Sequence, residues 1–183
     1  MTSKRITHTV LLALFSLCAT LTGANANANA QTPASQPSAG GLPARTPFDI
    51  PYGMPISLQA ANQAIEAAEA EAAKHGWREA IAVTDPNGDL VAFAKMDDTQ
   101  NAAPNIALRK AATAARFRRD TRTFYNGFEG GHTYSATLDP SLVASPGGYP
   151  LVIDGKIVGA IGCSGGSGDQ DGDICKAGAD ATK

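Results

Sequence analysis

From Ser57 to Gly76, apolar residues return at Leu58, Ala61, Ile65, Ala68 and Ala72, a spacing of three and four that gathers them on one stripe of a helix. Ser57 offers an N-cap hydroxyl, Lys74 and His75 put basic residues in the last turn, and Gly76 supplies the stop. The period then shortens to that of strands. Ala80-Ile-Ala-Val-Thr and Leu90-Val-Ala-Phe-Ala are joined by Asp85-Pro86-Asn87-Gly88-Asp89, where Pro followed by Asn-Gly is turn chemistry. Leu151 to Ile153 and Ile157 to Ile161 repeat the arrangement around Asp154-Gly155, a dipeptide that accepts positive φ and suits a tight hairpin. Between the hairpins the pattern predicts an alanine-rich helix from Pro104 to about Phe117, then a short helix and mobile loop within Thr121 to Tyr134. A last helix, N-capped by an Asp, is predicted in the segment that begins at Asp169. With its strands in hairpins, the chain is expected to be α+β, an antiparallel sheet with flanking helices and not a doubly wound parallel one.

The ends change the picture of where this domain works. Lys4 and Arg5 precede an apolar segment from Val10 to Leu21 and then the small-residue run Ala24-Asn-Ala-Asn-Ala-Asn-Ala30. That is the form of a secretory signal peptide over residues 1–30, too short for a comfortable membrane span, with cleavage predicted after Ala30 and a periplasmic or secreted destination. Phe15-Ser16-Leu17-Cys18 lacks the small residues that lipoprotein processing requires, so no lipid anchor is expected. Residues 31–55, rich in Pro, Ser, Gly and Ala, read as a flexible leader or an arm lying on another surface. The folded domain is placed at residues 56–183, enough for one core and too little for two. The chain carries a formal charge of −2, and cleavage of the signal peptide would remove two basic residues, Lys4 and Arg5, and no acidic one. No basic face with interleaved aromatics stands out, which argues against nucleic acid as a partner.

Of three cysteines, Cys163 and Cys175 survive export. In an oxidising compartment they are expected to form a disulfide closing a glycine-rich loop, against the alternative that Cys163 merely fills a small buried position. Without a neighbouring histidine they make a poor zinc site, and no metal site is assigned.

Candidate chemistry gathers in four places. Arg109, Lys110, Thr113 and Arg116 fall at helical spacing and form either a basic, hydroxyl-bearing face able to hold carboxylates or a solvated surface. Part of the cluster, with Arg118 and Arg119, complements the helix C-terminus. Gly147 and Gly148 before the second hairpin, and Gly162, Gly165, Gly166 and Gly168 in and after it, allow close backbone approach to a ligand or only sharp turns. Phe124, Tyr125, Phe128, His132 and Tyr134 form the densest aromatic patch, with His132 in a loop where a lone imidazole is more often a surface residue than a ligand. Asp97 and Asp98 after the first hairpin either cap a turn or face a cleft.

Several separated motifs are then familiar: Ile81-Ala-Val-x-Asp85-x-x-Gly88-x-Leu90, Lys95-Met96-Asp97, Lys110-Ala111-x-Thr113-Ala114, Gly147-Gly148-x-Pro150, and Ile157-x-Gly159-Ala160-Ile161-Gly162-x-Ser164-Gly165 followed by Asp171. In this order and spacing the chain resembles the GlcG/HbpS family of haem-binding or haem-degrading-type domains, over essentially all of the folded part. The resemblance implies a profilin- or PAS-like sheet with flanking helices, homo-oligomers and links to haem outside the cytoplasm. It carries Lys110, Thr113, Gly147, Gly148 and Pro150 over as ligand-proximal or interface positions, and it fixes no single ligand, because members also occur beside glycolate metabolism and fused to cobalamin-related enzymes. Cys163 departs from the family, which has an aliphatic residue there.

The expectation is therefore an exported haem-binding protein acting as scavenger, carrier or sensor accessory. His132 is the candidate axial donor, with Tyr125, Tyr134 or Tyr149 as alternatives, and Arg109, Lys110 or Arg116 are the candidate cations for the propionates. Two alternatives stand beside it. In one, Lys110 and Thr113 hold a small organic acid and Asp97 acts as general base. In the other, the chain is an oligomeric assembly module. No nucleophile, base and orienting group line up in the sequence, which favours binding over catalysis.

Overall fold

The last strand is the spine of the domain. We describe residues 48–182 in a computed structural model; the predicted signal peptide and residues 31–47 of the predicted leader lie outside the described residues. In chain order the elements are α1 (Leu58–His75), β1 (Ala80–Thr84), β2 (Leu90–Lys95), α2 (Ala103–Phe117), α3 (Arg122–Glu129), a 3-10 turn (Thr133–Thr137), β3 (Gly148–Ile153), β4 (Lys156–Ser164) and α4 (Gly168–Asp180). The sheet runs β2-β1-β4-β3 and every pairing of neighbouring strands is antiparallel. Asp154 and Gly155 both adopt positive φ, as the two-residue turn requires.

Both faces of the sheet are covered, so its two inner strands show no polar alternation. On one face Ile81, Val83, Ile161 and Cys163 pack with Ala61, Ala64, Ala68 and Ala72 of α1 and with Ile174 and Cys175 of α4. On the other, Ala80 and Ala82 meet Ala103, Ala107 and Ala111 of α2, while Ala160 meets Ala114 and Ala115. This second interface is built from methyl groups and bare backbone. At Gly162 a Cβ would overlap the Ala107 carbonyl oxygen and lie 2.5 Å from the Ala111 nitrogen, and at Gly148 it would lie 2.6 Å from the Lys110 carbonyl oxygen. Glycine is required at both because the α2 backbone itself lies against the sheet.

Two expectations are revised. The N-cap of α4 is Ser167, not an Asp: its hydroxyl accepts from Gln170 N while the Gln170 side chain accepts from Ser167 N, a closed capping box. The folded region also begins before Ile56, since Pro51 and Gly53 exchange backbone hydrogen bonds with Ile157, and Ile56 N donates to Val158 O. Of the two roles considered for this segment, an arm on a surface describes residues 51–55, and the surface is β4 of the same domain.

Candidate functional site

Beneath α2 lies a buried ionic cluster. Lys110 sends its side chain across the sheet end, where Nζ donates to Asp171 Oδ2 at 2.5 Å and to Cys163 O at 3.0 Å. Lys110 is 1% exposed and Asp171 3%. Asp171 Oδ1 accepts from Gly166 N at 2.9 Å, so the carboxylate is held by both an ammonium and a backbone amide. Glu79, at the entry to β1, is also sealed from solvent, and among the described residues neither of its carboxyl oxygens makes a hydrogen bond of ordinary geometry. Burial, and after it the negative Asp171, push its pKa up to about 8. A neutral Glu79 near neutral pH removes the cost of a second buried anion beside Asp171.

The candidate residues named from the sequence divide accordingly. Lys110 does hold a carboxylate, but one belonging to its own chain. Thr113 is buried, and its hydroxyl accepts from Val143 N at 3.1 Å. Gly147, with φ 107°, and Gly148 make room for this cluster: a Cβ on Gly147 would lie 2.8 Å from Asp171 Cβ and 3.1 Å from Lys110 Nζ. Pro150 is half-buried in β3, opposite Ala160. Arg109 donates to the carbonyls of Pro140 and Ser141, and Arg116 to Asn87 O and Ser141 Oγ, so both tie loops to α2. Asp97 is exposed in the turn after β2. The basic helix face thus serves mostly the chain's own carbonyls and carboxylates. Cys163 and Cys175 are bonded, with Cα atoms 5.5 Å apart, joining β4 to α4 one helical turn beyond Asp171.

His132 occupies a different place. A cavity of about 180 Å³ is lined by Arg119, Phe124, His132, Tyr134, Ser135 and Leu138, among others. It sits where α2 ends. Arg118 takes a left-handed conformation, φ 54°, and the amides of Arg118 and Arg119 turn back onto Ala115 O and Ala114 O. That turn carries Arg119 off the helix and sets its guanidinium 5.2 Å from the Phe124 ring centroid. His132 and Tyr134 are exposed, and neither side chain makes a hydrogen bond among the described residues. Of the other phenols, Tyr125 lines a separate cavity with Arg122, and Tyr149 has its pKa raised by burial and by Asp120, contrary to what a phenolate donor needs. Sequence reasoning missed Arg119 as a site residue because helix spacing ends with the helix. Glu79 was missed as well, since a lone acid before a strand carries no local signal.

Among the described residues no helix is long and apolar enough to cross a membrane, and no group of three or more His, Cys, Asp or Glu is placed to hold a metal ion.

Comparison with known proteins gives this geometry its context. The family model for haem degrading protein HbpS-like matches residues 56–180. Protein GlcG of Escherichia coli K12 is 42% identical over 106 residues, which cover 58% of this chain and 78% of GlcG. A double mutant of HbpS from Streptomyces reticuli superposes with a TM-score of 0.66 at 28% identity, covering 80% of this chain and 99% of that one. A PduOC–haem complex superposes with a TM-score of 0.64 at 27% identity, covering 70% and 95%. From Ile56 to Asp180, through both hairpins and the helices on either face of the sheet, the chain belongs to the HbpS-like family of haem-degrading-type proteins.

Proposed function

We propose that this protein is an exported haem-binding protein, acting as scavenger, carrier or sensor accessory, and that the cavity around His132 is its ligand site. One observation carries the reading: an imidazole and a phenol whose side chains make no hydrogen bond among the described residues stand at a cavity that also presents a guanidinium and the apolar surfaces of Phe124 and Leu138. Haem brings an iron that takes imidazole or phenolate as axial donor, and two carboxylates that seek cations. His132 or Tyr134 would hold the iron, Arg119 a propionate, and Phe124 and Leu138 the ring. The residue types fit, whereas the volume is too small to enclose a whole macrocycle. An open cavity of this kind favours a homo-oligomer in which a second copy shields the exposed part of the ligand. Export is supported by the signal-like residues 1–30 and by the buried disulfide, which suits an oxidising compartment.

The test is a haemin titration of the chain from Gln31, with visible spectra in both iron oxidation states. The proposal expects a saturable Soret shift at a simple ratio of haem to subunit, and bands that change in His132→Ala. Unchanged bands in His132→Ala but altered ones in Tyr134→Phe would move the axial role to the phenol, and a non-saturating spectrum would remove the haem assignment.

A further inference from the structure

Arg119 is gripped from outside the cavity. Its guanidinium carbon lies 3.2 Å from the ring centroid of Phe48, 5.2 Å from that of Phe124 and 6.0 Å from that of Phe117. Phe124 and Phe117 belong to the body of the domain, where they meet edge to face at 5.1 Å. Phe48 does not: it precedes the arm that runs to Ile56 and pairs with β4. The arm is fastened along its length to the end of α2. Tyr52 Oη lies 3.0 Å from Ala115 O and 2.9 Å from Arg116 O, so its one proton is shared between two carbonyls at the helix C-terminus. Arg118 donates to Ile50 O and lies 5.5 Å above the Tyr52 ring. Three contacts therefore lead from β4 to the Arg119 guanidinium that lines the cavity.

From this arrangement we infer that Phe48 is a positioning residue for the ligand site: it clamps the Arg119 guanidinium against Phe124 so that the cation faces an anionic group of the bound ligand. The inference rests on the haem reading above, with a propionate as the anion. An arginine held between two rings has few alternative rotamers, so less freedom remains to be lost when a carboxylate binds. The rings also displace water from its flat faces and leave the N–H edge as the direction for hydrogen bonding. Among the described residues, loss of Phe48 would leave the Arg119 Nε bond to Phe117 O and the inner rings to orient the group.

The experiment compares haemin with haemin dimethyl ester, which lacks the free carboxylates, on the wild-type chain and on Phe48→Leu, Phe48→Tyr, Arg119→Gln and the Phe48→Leu/Arg119→Gln pair. Leucine keeps apolar bulk without a π face, and tyrosine restores the face. Expected are a loss of about 3- to 10-fold in haemin affinity for Phe48→Leu, recovery in Phe48→Tyr, no loss for the ester, and no further loss when Phe48→Leu is added to Arg119→Gln. Equal haemin affinity in Phe48→Leu and wild type overturns the inference, as does an equal loss for haemin and its ester, which would make Phe48 a packing residue. A wild-type chain that fails to saturate with haemin overturns the haem reading and this inference with it, an outcome distinguishable because it needs no variant.

Discussion

Lys110 Nζ and Asp171 Oδ2 stand 2.5 Å apart in a part of the molecule that water does not reach, and they join the helix on one face of the sheet to a helix on the other. Removing one partner leaves the second charge buried and unpaired. Lys110→Ala or Asp171→Ala should each destabilise the domain by about 3 to 5 kcal/mol, and Lys110→Met with Asp171→Leu should cost less than either alone. Urea unfolding of the three variants measures this.

Glu79 makes stability depend on pH in the direction opposite to most carboxylates. Its pKa rises from 4.5 to about 8 on folding, so between these values the folded state binds more protons than the unfolded one. Stability from this group is complete below about pH 4.5, declines as pH rises, and is lost above about pH 8. Glu79→Gln should flatten the fall in melting temperature between pH 5 and 8, which thermal melts across that range will show.

Gly162→Ala should unfold the domain or strongly lower its melting temperature. The added methyl would meet the Ala107 carbonyl oxygen and the Ala111 nitrogen, backbone atoms that no rotamer change can move aside. The cost should reach at least about 3 kcal/mol by denaturant titration, the upper end of ordinary overpacking.

Reduction of the Cys163–Cys175 bond, which spans 12 positions, should cost about 3 kcal/mol. Both sulfurs are buried, so the bond should resist reductant in the folded state and yield in mild denaturant. Unfolding with and without reductant, beside a Cys163→Ala/Cys175→Ala variant, reads both effects.

Much of this architecture was legible because the local signals agreed with one another. Ser57 and Gly76 bound α1 where their caps require, and Asp154-Gly155 turns the second hairpin as its dihedrals demand. The site was less legible, for three physical reasons. Lys110 and Thr113 look like an exposed pair on a helix because spacing gives the face but not what covers it; a sheet and a loop cover it here. The glycines of Gly147-Gly148 look alike whether they admit a ligand or an internal ion pair, since both need only the missing Cβ. Arg119 acquires its place from the left-handed residue Arg118, a position more often glycine, so nothing in the composition announces the turn.

The alanine-and-glycine contact between α2 and the sheet also limits how this domain can diversify. Its methyl groups leave almost nothing to trim, and its backbone contacts leave no space to enlarge, so that side of the fold is closed to innovation. Substitutions that alter chemistry without prising the layers apart are confined to the margins, to the residues just past Phe117, to α3 and to the loop leading to β3.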